Sequence, residues 1–221
     1  MQRLSTRRSL AWALVLAGLL SIVGSIVLPR VDRLGPILRY GLLGGGSTRK
    51  AAQELEREQV TIRDRIQDRQ LAGTLEDSGG AAPAFTWPTP GWGEITSPWG
   101  GRSHPILGIP KVHTGADIGA PSAADVHAVQ GGEVILADQF TAYGLLLVVD
   151  HGDGWASVYA HLSQADVAEG DEVVAGQVIG AVGSTGRVTG PHLHLELYLS
   201  GESVDPLDYI ALPSTSAATE R

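Results

Sequence analysis

The stretch from His192 to Tyr198 alternates polar and apolar residues and carries two histidines two positions apart. This alternation predicts an extended strand, in which alternate side chains share one face and lie roughly 6.6 Å apart along the strand axis. His192, His194, Glu196 and Tyr198 would then face one side, and the three leucines between them would face a core. A histidine pair of this kind is a weak signal alone, because a solvated strand face can carry one without any function.

A second stretch, His113-Thr114-Gly115-Ala116-Asp117, offers a histidine and a carboxylate four residues apart. A bent strand or a turn can bring these two side chains to one point. Adding His194 gives a His, Asp, His set, which with one water molecule makes a tetrahedral zinc site with an open position, as expected of a catalytic ion. The chain has no cysteine, so any metal is held by His, Asp or Glu. No HExxH helix supplies a glutamate base.

Two further histidines, His161 and His192, are candidates for proton transfer. His192 shares a strand face with His194, so it can lie beside a metal without binding it. His161 ends an apolar run, where a sheet edge can direct it into a cleft. A neutral imidazole can accept a proton from metal-activated water, or hydrogen-bond the oxyanion that forms on an attacked carbonyl.

Four other residues have a structural interpretation, beside a functional one in two cases. Glu196 is either a group that orients a ligand imidazole or polar strand surface. Tyr159 either helps at the cleft or belongs to the core, as aromatic residues in apolar strands usually do. His127 and His151 are interpreted as structural or surface residues.

The elements that must position these residues are mainly strands. Beyond Phe85 no run has a convincing helical period, and turn signals such as Gly131-Gly132 separate short apolar runs. The pattern predicts an antiparallel β-sandwich or barrel-like domain over residues 85–212, with a disordered tail at 213–221. The predicted strands are Val126–Gln130, Glu133–Ala137, Leu145–Asp150, Ala156–Leu162, Glu172–Val174, Val178–Val182 and His192–Leu199.

The N-terminal part has a different composition. Ser9 to Leu28 is a run of 20 residues without a charge, long enough to span a bilayer core of about 30 Å. Because Arg3, Arg7 and Arg8 precede it, residues 1–30 are predicted to be a single-pass anchor with the N-terminus in the cytoplasm and the remainder outside, in the bacterial cytoplasmic membrane. A cleaved signal peptide is the alternative.

Residues 31–84 are predicted to be a juxtamembrane linker that contains a charged helix at about 48–71. Its thin apolar stripe favours a solvated spacer helix, although a short coiled coil that forms a homodimer is the alternative. Residues 1–72 have a net charge of +6 and the remainder has a net charge of −14, within an overall −8. Nucleic acid is therefore excluded as a partner, because so acidic a domain would be repelled by phosphates.

In combination and in order, the motifs of about Pro98 to Ile210 resemble the zinc endopeptidases of the lysostaphin/LytM type, which cut peptide cross-links of bacterial peptidoglycan. The resemblance implies one Zn²⁺ ion bound by His113, Asp117 and His194, and catalytic roles for His161 and His192. It also places Arg102 and His104 near the groove, although Arg102 could equally be a structural ion-pair partner. The matching motifs are Gly101-Arg102-Ser103-His104-Pro105, His113-x-x-x-Asp117, Tyr159-Ala160-His161-Leu162, the Gly170 to Gly186 region, His192-Leu193-His194 and Val204-Asp205-Pro206.

Two functions are compatible with this resemblance. The leading one is a membrane-anchored zinc endopeptidase acting on peptidoglycan peptides, since none of the five metal-binding and catalytic positions is replaced. The alternative is a non-catalytic wall-binding or regulatory module of the same fold.

Overall fold

One helix and twelve strands are present in the part of the chain that the structure covers. The computed structural model describes residues 46–73 and 84–210. The chain divides into two units after Arg49, and the features below belong to the second unit, Lys50–Arg221, apart from the first four residues of the helix. In chain order the elements are α1 (Gly46–Gly73), β1 (Glu94–Ser97), β2 (Gly100–Ser103), β3 (Pro110–His113), β4 (Ala116–Gly119), β5 (Asp125–His127), β6 (Gly132–Phe140), β7 (Gly144–Gly152), β8 (Trp155–Ala165), β9 (Glu172–Val173), β10 (Val178–Val182), β11 (His192–Leu199), β12 (Glu202–Val204) and a 3₁₀ turn (Pro206–Asp208).

Ten of the twelve strands belong to one antiparallel sheet. Its main path runs β1-β4-β11-β8-β7-β6-β9, while β10 pairs with both β5 and β8, and β12 pairs with β11. Strands β2 and β3 form a separate hairpin. The prediction of a mostly β, antiparallel fold is therefore confirmed for the described residues.

The two faces of β11 take part in different layers. Leu193, Leu195 and Leu197 are buried in the core on one face, together with residues of β5 and β10 such as Val126 and Ile179. On the other face, Tyr198 belongs to a second core cluster, and His194 and Glu196 are also buried. The alternation predicted for this strand is present, but its polar face lies inside the protein and not in solvent.

Helix α1 covers this second face of the sheet. Ile62 and Ile66 are fully buried against residues of β7, β8 and β11, and Leu55 packs against the same cluster. Burying an isoleucine side chain contributes about 1.5–3 kcal/mol. The prediction of a solvated spacer helix is therefore wrong. The apolar stripe on which a homodimer would depend is occupied by the chain's own sheet.

Polar contacts also hold α1 on the sheet. The buried Glu58 carboxylate accepts backbone N–H groups of Thr141, Ala142 and Tyr143 in the β6–β7 loop, at 2.9–3.2 Å. Arg65 donates from Nε to the carbonyl of Ile135 at 3.0 Å. Because a buried carboxylate needs donors to offset its lost hydration, Glu58 fixes the loop and the helix to each other.

Strand β8 changes its partner at His161. Ala156 to Ala160 pair with β11, whereas Leu162 to Ala165 pair with β10. Between these two segments His161 has a φ of 63°, a left-handed conformation that is uncommon for a residue other than glycine. Its backbone N–H donates to the carbonyl of Tyr143 at 2.9 Å. His161 is therefore delivered by a bend within a strand that continues to Ala165, and not by the end of a strand as the sequence predicts.

The predicted membrane anchor at residues 1–30 and the predicted disordered tail at 213–221 lie outside the described residues. Within residues 46–73 and 84–210, no helix combines the length and the apolar character that crossing a bilayer requires.

Candidate metal centre

The three candidate metal ligands come from neighbouring strands. Asp117 on β4 and His194 on β11 are directly paired across the sheet. His113 is the last residue of β3 and is separated from β4 by Thr114 and Gly115. A Cβ atom at Gly115 would collide with the carbonyl oxygen of Leu195, so only glycine lets this turn approach β11. The close approach brings His113 next to the paired residues.

The ligand atoms form a nearly regular triangle. His113 Nε2 lies 3.0 Å from His194 Nδ1 and 3.1 Å from Asp117 Oδ1, and His194 Nδ1 lies 2.8 Å from Asp117 Oδ1. All three side chains are buried. Tetrahedral zinc ligands at the usual bond lengths are about 3.3 Å apart. Small adjustments would fit the set to zinc, and two nitrogens and one carboxylate oxygen are donors that zinc accepts.

Each ligand imidazole is held through its other nitrogen. His113 donates from Nδ1 to the carbonyl of Pro98 at 2.8 Å, and His194 donates from Nε2 to Glu196 Oε1 at 3.0 Å. These contacts select the tautomers that leave His113 Nε2 and His194 Nδ1 with lone pairs directed to the common point. Oxygen partners of this kind are typical of metal-binding histidines.

Glu196 is the centre of a buried polar network. Its side chain is fully buried and accepts hydrogen bonds from Thr114 Oγ1, from Tyr143 OH at 2.8 Å and from Tyr198 OH at 2.9 Å, besides that from His194. Burial alone would raise the pKa of Glu196, but its contact with His194 and these donors lower that pKa to about 2. Of the two interpretations of Glu196, the contacts favour a carboxylate that orients a ligand imidazole.

The two carboxylates beside His194 favour a proton on its ring when no metal ion is bound. Burial would lower the pKa of His194, but its hydrogen bonds with Asp117 and Glu196 outweigh burial and raise that pKa to about 9. Burial would raise the pKa of Asp117, but hydrogen bonds from His113 and His194 hold it well below its usual range. Two buried carboxylates therefore require a positive charge between them, either a proton or a metal ion.

The two candidate catalytic histidines lie beside this triangle. The ring centres of His161 and His192 are 4.9 Å apart, and those of His161 and His194 are 5.8 Å apart. His161 donates from Nδ1 to the carbonyl of Thr185, and His192 donates from Nδ1 to that of Gly190, both at 2.9 Å. In each ring Nε2 therefore keeps its lone pair.

The environments of these two rings differ. Burial, followed by the positive charges of His194 and His192, lowers the pKa of His161 to about 3, so this imidazole is neutral. His192 Nε2 lies 3.7 Å from Asp117 Oδ1, an oxygen atom of the candidate metal triangle.

All five histidine and aspartate side chains line one cleft of about 260 Å³. Arg102 and His104 line it too, and Arg102 forms an ion pair with Asp117 Oδ2 at 3.4 Å. His104 accepts the N–H groups of Ile106 and Leu107 at Nδ1, and burial together with Lys111 and Arg102 lowers its pKa to about 4.

Of the two interpretations of Tyr159, the structure supports the core and contradicts a position at the cleft. Its ring is fully buried in the opposite core, where its hydroxyl accepts hydrogen bonds from Val129 N–H and Ser157. His127 and His151 are also absent from the cleft lining and bond to backbone carbonyls elsewhere.

The sequence interpretation missed Tyr143 and Thr114, both of which bond Glu196 and line the cleft. Thr114 lies inside the His113 to Asp117 motif and could have been found there. Tyr143 follows no recognisable pattern, since the β6–β7 loop places it.

Comparison with known proteins agrees with this geometry. The sequence profile of peptidase family M23 matches residues 111–206, a range that contains the metal triangle, both candidate catalytic histidines and Glu196. Residues 111–206 are therefore a peptidase family M23 domain, in agreement with the resemblance to the lysostaphin/LytM type.

Among curated relatives, the chain is 45% identical over 120 residues to the DD-carboxypeptidase/endopeptidase Mpg of Neisseria meningitidis, covering 54% of this chain and 27% of that protein. It is 33% identical over 186 residues to the murein hydrolase activator EnvC of Escherichia coli, covering 78% of this chain and 43% of that protein. A zinc-containing peptidase from Vibrio cholerae has a similar structure, with a TM-score of 0.53, 35% identity, and coverage of 56% and 39%. The chain thus spans less than half the length of these relatives.

Proposed function

We propose that this protein is a zinc-dependent endopeptidase that hydrolyses peptide cross-links of bacterial peptidoglycan. The observation that carries the proposal is the triangle of His113 Nε2, Asp117 Oδ1 and His194 Nδ1, with the lone-pair nitrogens of His161 and His192 beside it in one cleft. The substrate class follows from relatives named as peptidoglycan DD-endopeptidases, such as ShyB of Vibrio cholerae, 37% identical over 106 residues.

In this proposal His113, Asp117 and His194 hold one Zn²⁺ ion, and water completes the coordination. Bound zinc would polarise the scissile carbonyl and lower the pKa of the attacking water towards about 7. Glu196 keeps His194 in the ligand tautomer, and Arg102 orients Asp117 through its second oxygen.

His161 and His192 have different roles in proton transfer. His161 stays neutral and accepts a hydrogen bond at Nε2, which orients the water. His192, whose Nδ1 is held by the carbonyl of Gly190, accepts the proton of the water at Nε2. The protonated His192 then donates a hydrogen bond to the oxyanion and its proton to the leaving amine.

The test is digestion of purified peptidoglycan by the zinc-loaded protein, with the released fragments identified by mass spectrometry. We expect fragments with cleaved cross-links from the wild-type protein. His192→Ala should release none while still binding zinc, and His127→Ala, a histidine outside the cleft, should cleave like the wild type. Absence of cleavage by all three zinc-loaded proteins would reject the proposal.

A second candidate function is activation of another wall hydrolase. The relative EnvC, named a murein hydrolase activator, matches 78% of this chain, a larger share than the Neisseria relative matches. The two functions predict different outcomes when the protein is mixed with a separate wall hydrolase. An activator raises that enzyme's rate even with His192→Ala, whereas an endopeptidase contributes only its own products.

We further propose that residues 9–28 anchor the protein in the cytoplasmic membrane and that the β domain is extracytoplasmic. The 20-residue uncharged run behind three arginines supports this arrangement. Protease added to spheroplasts should digest the β domain of the membrane-bound protein. Recovery of the intact chain in the cytosolic fraction would contradict the proposal.

A further inference from the structure

The basic residues of the β domain are confined to the candidate active site. Between residues 84 and 210 the chain has only three of them, Arg102, Lys111 and Arg187, although residues 73–221 have a net charge of −14. All three line the cleft. A surface this acidic would gain nothing from cations for solubility, so their concentration at one site indicates recognition of an anionic group.

Two of these cations already have partners. Arg102 forms an ion pair with Asp117, and Arg187 forms one with Glu54 of α1 at 3.3 Å and donates to the carbonyl of Ala51 at 3.2 Å. Lys111 differs from both. Its side chain is partly buried in the cleft wall, yet within residues 46–73 and 84–210 no hydrogen bond or ion pair reaches its ammonium group. Glu56 and Glu196 attract this ammonium from beyond hydrogen-bond distance. A desolvated ammonium without a direct partner is unfavourable unless a ligand supplies a counter-charge within hydrogen-bond distance.

The position of Lys111 relates this ammonium to the proposed metal. Lys111 lies on β3, two residues before the ligand His113, so both side chains project from the same face of the strand. The exposure pattern agrees, since Pro110 and Val112 are exposed while Lys111 and His113 are partly and fully buried. Their Cα atoms are about 6.6 Å apart, roughly the span of two extended residues.

We propose that Lys111 binds a free carboxylate of the substrate, carried by a residue within one or two positions of the scissile bond. The substrates are therefore acidic peptides with an unblocked carboxylate at this point, in preference to amidated peptides or neutral glycine bridges. The charge-assisted hydrogen bond that Lys111 forms with the carboxylate provides the discrimination. This inference rests on the proposed endopeptidase function and adds the recognition group to it.

The test compares two synthetic cross-linked peptides that differ only in one group, a free carboxylate or a carboxamide on the residue beside the scissile bond. The zinc-loaded full chain should cleave the acidic peptide with a kcat/KM about 10- to 100-fold higher, as expected for a hydrogen bond to a charged group. Lys111→Met should reduce this preference to about 1 by raising KM for the acidic peptide alone. Lys111→Arg should retain part of the preference because it keeps the charge.

The chain offers a matched control, because Lys50 is its only other lysine and is exposed. Lys50→Met removes the same charge and should keep the full preference. A wild-type protein that cleaves both peptides equally would overturn the inference while leaving the endopeptidase function intact. Cleavage of neither peptide would reject the function instead.

A binding measurement decides the inference without turnover. Reductive ¹³C-methylation labels the two lysines and the N-terminal amine and preserves their charge. The signal that is missing in Lys50→Met or in Lys111→Met assigns each lysine. In the zinc-loaded His192→Ala variant, the acidic peptide should shift the Lys111 signal and leave the Lys50 signal unchanged, and the amidated peptide should shift neither. An unchanged Lys111 signal at saturating acidic peptide would overturn the proposal.

Discussion

Asp117 and His194 face each other across the β4–β11 pair, with Asp117 Oδ1 2.8 Å from His194 Nδ1. The sheet register alone thus places two of the three ligand atoms, and only His113 depends on a turn. Strand pairing is cooperative with the whole core, so the fold itself holds these candidate metal ligands in place.

The carboxylate behind His194 should control metal affinity. Glu196→Gln keeps the size of the side chain but removes the charge that orients and polarises His194. Loss of such a partner typically lowers metal affinity about 10- to 100-fold. Competition with a chromogenic chelator measures the change, and the exposed Glu202→Gln serves as the control. Equal zinc affinities of the two variants would contradict the role assigned to Glu196.

The metal-free protein should lose stability between about pH 6.5 and pH 9. The pKa of His194 is raised to about 9 in the folded state, against about 6.5 when unfolded. The stabilisation from its proton is therefore complete below the unfolded pKa and is lost as the pH rises through the folded pKa, amounting to about 3 kcal/mol. Urea unfolding over this pH range measures it. The zinc-loaded protein should lack this loss because zinc replaces the proton, and parallel curves for the two forms would refute the assignment.

The turn between His113 and Asp117 should tolerate no side chain at Gly115. In Gly115→Ala the new Cβ meets the carbonyl oxygen of Leu195 and Glu196 Cγ, so β4 and β11 must move apart. We expect a destabilisation of about 1–3 kcal/mol, typical of overpacking, together with weaker zinc binding. Gly101→Ala is the control, because a Cβ there meets no atom within 4 Å. A Gly115→Ala protein with the stability and zinc affinity of the wild type would contradict the prediction.

Helix α1 should contribute to the stability of the monomer. Ile66→Ala removes a fully buried side chain and should cost about 2–5 kcal/mol in the free energy of unfolding. Leu71→Ala, on the same helix at 72% exposure, should change it little. Denaturant unfolding and sedimentation measure stability and mass together. If Ile66→Ala instead left stability unchanged and dissociated a dimer, the apolar stripe of α1 would form an interface between two copies of the chain.

Sequence periodicity predicted the long central elements well. The predicted strands Val178–Val182 and His192–Leu199 coincide with β10 and β11, and the predictions for β7 and β8 fall short by one to three residues at each end. Their apolar alternation is strong enough to define a strand locally. The short strands β1 to β4 and β12 were missed, because three or four residues rich in Gly, Pro or charge carry no period. Pairing with strands distant in sequence determines where these short strands form.

The same distinction applies to the candidate site. The motifs identified His113, Asp117, His161, His192 and His194, because histidine and aspartate are recognisable from sequence as candidate metal ligands or proton-transfer groups. The position of Tyr143 and the packing of α1 on the sheet could not be predicted in this way. Both are set by contacts between residues at least 53 positions apart in sequence, such as the Tyr143–Glu196 hydrogen bond and the Glu58 contacts. The motif could not decide between cleft and core for Tyr159, because a residue near His161 in sequence can still face the opposite core.

The carboxylate of Glu58 has a practical consequence for anyone choosing where to start a recombinant fragment. The loop that it caps also presents the Tyr143 hydroxyl to Glu196, which in turn holds His194. A fragment trimmed to the family-matched region would lack Glu58, which accepts the three backbone N–H groups of the β6–β7 loop. It would also expose the apolar sheet residues that Ile62 and Ile66 cover. Recombinant versions should therefore retain α1, since the surroundings of the metal ligands extend well upstream of residue 111.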